Sequence, residues 1–431
     1  MRNRQYFQGP PVGLFWDQSL VWGLLCIETL SRGRIPFRLL SASDIAGGCL
    51  DAHRVLLVPG GWAAHKIRAL GELGRKRIAD FLEQGGTYMG FCGGAGMALS
   101  SSPALYLTPI ERMPLSERLP SASGRIRIEG DTSHPAWKNL PPSIPVSVWW
   151  PSQFKWDLPE GACCLGTYAE PEADFQVADL RVSEMAADTC WAELEKTYGI
   201  NLDPAIIKGH PAIIETRKGK GRLVLSYAHL ETPGDELGNR LFFSLIEYLN
   251  DECARSECRA DEQIPRRQGP DFRDAHTWQC IAGAEKAAAD LIAFGEAHAL
   301  WSWREPWLLN WRRGLRGLEY GTLAVSLTHM LKLREKLGPP DADAGPDFHR
   351  QAERLEESTR EFCTLAKQLL LEEKEAAREG SLSKLGKVND SVDTLRCRLF
   401  GNRMNHGGLC RALFDLIDPM LLDLLRIAHR A

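Results

Sequence analysis

Two short strings in this chain carry residues that could do covalent chemistry: Gly90-Phe91-Cys92-Gly93-Gly94 and His229-Leu230-Glu231. Cys92 ends an apolar run, TYMGF (87–91), and opens a Gly/Ala-rich one. That is the pattern of a strand turning sharply into a helix, a nucleophile elbow with Cys in place of Ser. The flanking glycines permit the tight turn and lift the side chain out of the sheet. Free N–H groups and the positive dipole end of the helix opening at Gly93 would favour the thiolate. In an extended segment residues two apart project to the same side, so Glu231 can hold the imidazole of His229. His229 would then deprotonate Cys92 and later protonate a leaving amine. Gly60-Gly61 follows another apolar run, RVLLVP (54–59), where ligand loops of open α/β sheets lie. Backbone N–H groups of Gly61 and Gly93 together would form an oxyanion hole.

Elements that could position these groups are legible upstream. PVGLF (11–15) and FRLL (37–40) are short apolar runs separated by a helical stretch at 21–31. An amphipathic helix is predicted over 65–84, with Ile67, Leu70, Leu73, Ile78, Phe81 and Leu82 on its inner face and Gly85-Gly86 ending it. The β-α-β-α-β order predicts a mostly parallel, flavodoxin-like sheet with helices on both faces and right-handed connections. IRIEG, VSVWW and ACCLGTY read as further strands within 100–165, and 176–198 reads as a helical excursion. The run 212–231 reads as a hairpin around Lys218-Gly219-Lys220-Gly221, and a helix at 238–250 closes the domain.

With these strings in order, PGG (59–61), GFCGG (90–94) and HLE (229–231), the chain resembles class I glutamine amidotransferases. The wording of LLVPGGWAAHKIRALGELGRKRIADFLEQGGTYMGFCGGAGMAL, with VSVWWPSQF and GKGRLVLSYAHLE, is most similar to the amidotransferase-like domain at the N-terminus of some biotin–protein ligases. The resemblance covers about 240 residues and implies a triad of Cys92, His229 and Glu231. Two departures stand out. Gly-Gly-Ala-Gly-Met (93–97) replaces the Leu-Gly-His-Gln-like run common after the nucleophile, and His-Leu-Glu replaces the usual His-Pro-Glu. Glutamine is therefore not assured as substrate, and no ammonia-accepting synthetase or biotin-ligase catalytic domain is recognisable. Lys218-Gly219-Lys220-Gly221 reads as a turn.

Gly60, Trp62, Trp150 and Gln153 are the candidate substrate-binding residues; Trp149, Trp150, Gln153 and Phe154 could form an aromatic wall of the pocket, and simple core packing suits all four equally. His65, Lys66 and His210 read as surface or packing residues beside the cleft. The expected domain spans 8–250, followed by a polar, proline-bearing linker at 251–272 and an all-α helical bundle at 273–431. Helices are predicted near 273–299, 305–336, 346–378 and 388–428, the last interrupted around Gly407-Gly408, as an antiparallel bundle. Trp301, Trp303, Trp307 and Trp311, interleaved with Arg304, Arg312, Arg313 and Arg316, crowd the first junction. Such a mixture can stack bases and hold phosphates, but it equally suits a helix packing on a partner, the reading favoured here. The string Asn402-Arg403-Met404-Asn405-His406-Gly407 weakly resembles the end of the HEPN ribonuclease motif, with Asn402 and His406 as the RNA-acting candidates. Gly401 occupies the expected Arg slot, however, and Arg398 and Arg403 fall outside the usual spacing.

Composition narrows the classes. With 431 residues the chain supports two domains, and 44% hydrophobic with 25% charged residues is an ordinary globular balance. Net charge of −4 gives no electrostatic case for nucleic acid or an anionic membrane. No run of about 18 apolar residues suggests a membrane span, and the start lacks a signal-peptide pattern. Twelve scattered cysteines without CxxC spacing read as reduced thiols of a cytoplasmic protein, with no metal or cofactor called for. Three functions follow as expectations. The first is a cysteine amidohydrolase or amidotransferase acting on a small-molecule or peptide carboxamide through a Cys92 thioester. The second is a catalytically degenerate scaffold that binds a ligand, a partner protein or a second copy through its helical domain. The third is a controller of an RNA-acting, HEPN-like bundle.

Overall fold

The computed structural model describes residues 9–155, 157–251, 253, 275–336, 346–378, 386–401 and 406–429. The chain divides into two compact units, residues 1–264 and 265–431. The first opens with β1 (Val12–Phe15), α1 (Val21–Gly33), β2 (Phe37–Leu40), α2 (Ala42–Ala46), β3 (Val55–Val58), α3 (Ala63–Glu83), β4 (Thr87–Phe91) and α4 (Gly93–Ala98). It continues with β5 (Ala122–Gly130), β6 (Ser143–Trp149), β7 (Cys163–Pro171), β8 (Gln176–Val177), β9 (Leu180–Arg181), α5 (Trp191–Tyr198), β10 (Pro211–Lys218), β11 (Gly221–Ser226) and α6 (Glu236–Asp251). The helical reading of 176–198 is therefore corrected. Only a single 3-10 turn at Val182–Glu184 and α5 are helical there, and Gln176–Arg181 is a tight hairpin added to the sheet.

All strands of this unit join one mixed sheet in the order β2-β1-β3-β4-β11-β10-β7-β5-β8-β9, with β6 on β5. The half β2-β1-β3-β4-β11 is wholly parallel. This is the flavodoxin-like 2-1-3-4-5 order, with β11 in fifth place. Its strands are buried along their whole length at β1, β3 and β4, as the continuous apolar runs VLLV and TYMGF require of strands covered on both faces. The other half is antiparallel. Ile67, Leu70, Ile78, Phe81 and Leu82 of α3 are buried as their spacing predicts, but Leu73 is exposed. Gly71, at φ 57°, breaks the helical repeat just before it and shifts the phase.

The second unit contains α7 (Ala275–Ala297), β12 (Trp301–Glu305), β13 (Leu308–Trp311), α8 (Gly317–Arg334), α9 (Pro346–Ala376), α10 (Asp390–Phe400) and α11 (Gly408–Ala428). It is a helical unit with one hairpin, so the helix expected from 305 begins only at Gly317. The alternation Trp301-Ser302-Trp303-Arg304 is a period-2 signal, and Trp301 pairs with Trp311 across the hairpin. Matching contacts from His276–Glu353 through Asp290–Lys367 to His298–Lys374 run the same way along α7 and α9. Those two helices are therefore parallel neighbours. Among the described residues no helix is long and apolar enough to cross a membrane.

Candidate functional site

Cys92 sits between β4 and α4 with φ 45° and ψ −106°. For a residue with a Cβ such a backbone costs on the order of 1–3 kcal/mol, so the surroundings must impose it. They do so through close backbone packing. A Cβ on Gly93 would stand 1.9 Å from the Gly61 carbonyl oxygen, and one on Gly94 would stand 2.1 Å from that of Val58. Main chain cannot swing aside as a long side chain can, so both positions require glycine. The Cys92 N–H donates to the Ser226 carbonyl (2.8 Å), and the Gly96 N–H donates to the Cys92 carbonyl (2.8 Å). The turn is thereby sewn to the end of β11.

From Ser226 the chain runs through Tyr227 and Ala228 to His229, so the strand that pins the cysteine backbone also delivers the imidazole. His229 Nδ1 lies 2.7 Å from Glu231 Oε1, and both side chains are 0% exposed. The Trp22 ring stacks on the imidazole at 4.6 Å between centroids. The His229 N–H donates to the Ser147 carbonyl, Thr29 Oγ1 to the Glu231 carbonyl and Thr232 Oγ1 to the His229 carbonyl. With Nδ1 engaged, Nε2 is the nitrogen left for Cys92. Its interaction with the thiol is looser than a formed hydrogen bond, as is common without substrate. Burial opposes a charge on His229, but the Glu231 carboxylate and the Cys92 contact outweigh it and raise its pKa to about 10.

The two proposed oxyanion glycines face each other. Gly61 N would be 3.2 Å from a Cβ on Gly93, and the Gly93 N–H is one of those a helix start leaves without an internal partner. Gly61 has φ 108°, open to glycine alone, and Gly60 packs against Trp22 and His229 Cε1. Behind this loop lies Lys66, fully buried, with its ammonium donating to Ser19 Oγ and to the Asp17 carbonyl (3.3 Å) and resting over the Phe15 ring. The loop it grips holds two positive-φ residues, Gln18 and Leu20. The surface or packing role expected of Lys66 is thus refined: it is a buried anchor between two site loops.

The remaining candidates divide. Trp150, half-buried with φ 51°, stands edge-on to Trp22 at 6.3 Å and so belongs to the site wall. Trp62 caps the start of α3 directly after Gly61 and is half-buried. Gln153 needs correction. It is buried, its amide oxygen accepting from the Leu119 N–H and its nitrogen donating to the Ile206 carbonyl, so these contacts brace loops and do not line a ligand wall. Trp149 is a core residue that holds Thr232 through Nε1, and Phe154 packs on Tyr227. His65 is buried, and the half-buried His210 accepts at its carbonyl from the Tyr168 N–H, with burial lowering its pKa.

Four residues, Tyr227 and three that interact with it, escaped the sequence reading. Tyr168 and Tyr227 are fully buried, which raises both phenol pKa values, Tyr227 to about 12, and each also feels the Cys92 charge. Arg112 and Arg118 lie in the field of Tyr227, and Arg118 donates to Ser152 Oγ at 3.0 Å. Burial and the neighbouring Arg112 lower the Arg118 pKa. These residues come from three separated segments, and no local pattern marks them.

In the helical unit, Asn402 lies outside the described residues. His406 is buried, edge-on to Phe414 at 5.1 Å, where α10 has ended and α11 begins with Gly408 at φ 51°. That position marks a helix break. Trp301 is buried and Trp303 is 38% exposed, both on the hairpin and not at a helix junction.

None of the curated proteins compared with the chain matches it. Among solved structures, a Thermoplasma acidophilum protein described as a candidate component of GMP synthase is similar at 12% identity, covering 57% of this chain and 96% of its own, with a TM-score of 0.38. A glutamine amidotransferase from Thermotoga maritima is similar at 16% identity, with 56% and 84% covered and a TM-score of 0.33. PurLQS from the same organism is similar at 13% identity, with 56% and 100% covered and a TM-score of 0.33. Residues 50–102, which contain β3, the Gly60-Gly61 loop, α3, β4, Cys92 and α4, match the family model for the N-terminal part of biotin–protein ligase.

Proposed function

We propose that the first unit is a cysteine-dependent amidohydrolase or amidotransferase that acts on a carboxamide. The observation that carries this reading is the buried His229–Glu231 pair at 2.7 Å, whose second ring nitrogen is left to a cysteine held in an elbow conformation. The raised pKa of His229, about 10, suits it to take the proton of Cys92 and so deliver the attacking thiolate. The thiolate adds to the amide carbonyl, and the N–H groups of Gly61 and Gly93 stabilise the oxyanion. The C–N bond breaks as His229 gives its proton to the departing amine, leaving a thioester on Cys92. Water, or an acceptor amine, then loses its proton to His229 and attacks the thioester. The acyl group leaves as acid or new amide, and the thiolate is restored.

Trp22 and Trp150 supply an apolar wall, and Arg112 with Arg118 suits an acyl portion that carries a negative charge. The experiment that tests the reading needs no substrate. Iodoacetamide labelling is followed by peptide mass from about pH 5 to 9 in the natural chain and in His229→Ala. Fast labelling confined to Cys92 near pH 6, and lost in the variant, supports the triad and justifies a carboxamide screen that includes glutamine. Labelling no faster than an ordinary thiol, and indifferent to His229, sinks it. The domain would then be a binding scaffold.

A further inference from the structure

Far from Cys92 in sequence, two histidines and a glutamate from neighbouring helices converge on one point. His276 Nε2 is 3.2 Å from Glu353 Oε1, and His349 Nε2 is 3.3 Å from the same oxygen. The donor atoms of the three side chains all lie within 4.8 Å of one another. Ligands of a tetrahedral zinc ion at 2.0–2.1 Å stand about 3.3–3.5 Å apart, so two of the three edges already have that length. The backbone explains the convergence. His276 and Cys280 are four residues apart on α7, and His349 and Glu353 are four apart on α9, so each pair shares one helix face. The parallel packing of α7 and α9 sets those faces opposite each other, with the imidazole centroids 4.9 Å apart.

Two details distinguish this cluster from a surface ion pair. One carboxylate oxygen serves two imidazoles, whereas an ion pair needs only one partner. Thr277 Oγ1 also lies 3.1 Å from His349 Nδ1, which is the outer hydrogen bond that orients a metal-bound histidine and leaves Nε2 as the ligating atom. Cys280 Sγ lies 3.7 Å from His276 Nε2, beside the position a fourth ligand would take.

We propose that His276, His349 and Glu353 bind a divalent transition metal of the zinc class, with water in the fourth position and Cys280 next to it. Two imidazole nitrogens and one carboxylate favour such an ion over magnesium or calcium, which take oxygen donors. The bound ion would clamp α7 to α9. Because the ligands must be deprotonated, binding would weaken as pH falls.

Zinc chloride titrated into the full chain against a chromophoric chelator tests this, alongside Cys92→Ser, which accounts for zinc held by the elbow thiol. The expected result is one tight equivalent present in both. It is weakened by a factor on the order of ten in Thr277→Val and abolished in His276→Ala/His349→Ala, whose far-UV circular dichroism matches the parent. Cobalt in the same site should show the visible bands of a four-coordinate ion. If the double variant binds zinc in the same amount and as tightly as the natural chain, or if the tight equivalent disappears with Cys92→Ser instead, the proposal is overturned.

Discussion

His229 with Glu231 and His134 with Glu215 are both histidine–carboxylate pairs set beside one sheet, the first fully and the second largely buried, at 2.7 Å and 3.1 Å. Around His134 every polar atom is answered. Nδ1 accepts from the Ala136 N–H, and Glu215 is shared with Arg222 at 2.5 Å and with Tyr248 at 3.2 Å. Around His229 two atoms are left over: Nε2 of the ring and Oε2 of Glu231 make no hydrogen bond. The first pair closes a gap between β10, β11, α6 and the turn before Pro135. The second stands at the carboxyl end of the parallel strands, where a strained cysteine waits. Residue type and distance are nearly the same in both; what differs is the valence left unfilled.

The contrast can be broken most sharply at the two histidines. His229→Ala should slow alkylation of Cys92 near pH 6 by about a thousandfold, within the range expected for loss of a general base, while His134→Ala should leave it essentially unchanged. Equal losses in both would mean that the distinction drawn from unfilled valence is wrong. Glu215→Gln should act the other way. It leaves Arg222 short of its partner in a buried setting and should cost about 3 kcal/mol in denaturant unfolding, with labelling intact.

A smaller effect is expected at Arg118. Once an amide substrate bearing a negative group is found, Arg118→Met should raise its KM by about tenfold, as loss of one charged hydrogen bond implies, with little change in kcat. The smallest effect is in the pH dependence of stability. Burial alone would raise the Glu215 pKa, but hydrogen bonds from His134 and Arg222 lower it. Its contribution is therefore present above the unfolded value of about 4.3 and fades as pH falls through the lower folded value. His229 is shifted up, to about 10. Its contribution is complete below the unfolded value of about 6.5 and fades as pH rises through the folded one. Thermal unfolding across pH should thus show Glu231→Gln flattening the alkaline limb and His134→Ala the acid limb. Both variants changing the same limb would contradict the assignment.

What could be read from sequence followed contiguity. The elbow is a local string whose glycines dictate its own geometry, and β3, α3 and β4 repeat their period long enough to be recognised. His-Leu-Glu was legible as a string, but it lies in a turn after β11 and not in the extended segment expected of it. Gln153 was misread because a loop residue three positions from Trp150 looks like part of one wall, whereas its amide is drawn inward to Leu119 and Ile206. Leu73 was misplaced because one positive-φ glycine resets a helical phase that periodicity assumes constant. The hairpin at 301–311 lay among helical neighbours, and its four-residue alternation was outweighed by them. Tyr168, Tyr227 and Arg118, like His276 and His349 in the other unit, meet only because distant segments fold together, and no spacing rule spans such gaps.

One stitch has a consequence for how this site ages and fails. The Cys92 N–H hangs on Ser226, and three residues later the same strand presents His229. The last paired rung, Phe91 with Ser226, thus lies directly before both groups, and each is carried on the short segment that leaves that rung. Fraying at the periphery leaves them in register; parting them requires tearing β4 from β11 at the middle of the sheet. The spacing of sulfur and imidazole is in that sense an internal gauge of whether the core of the domain is whole.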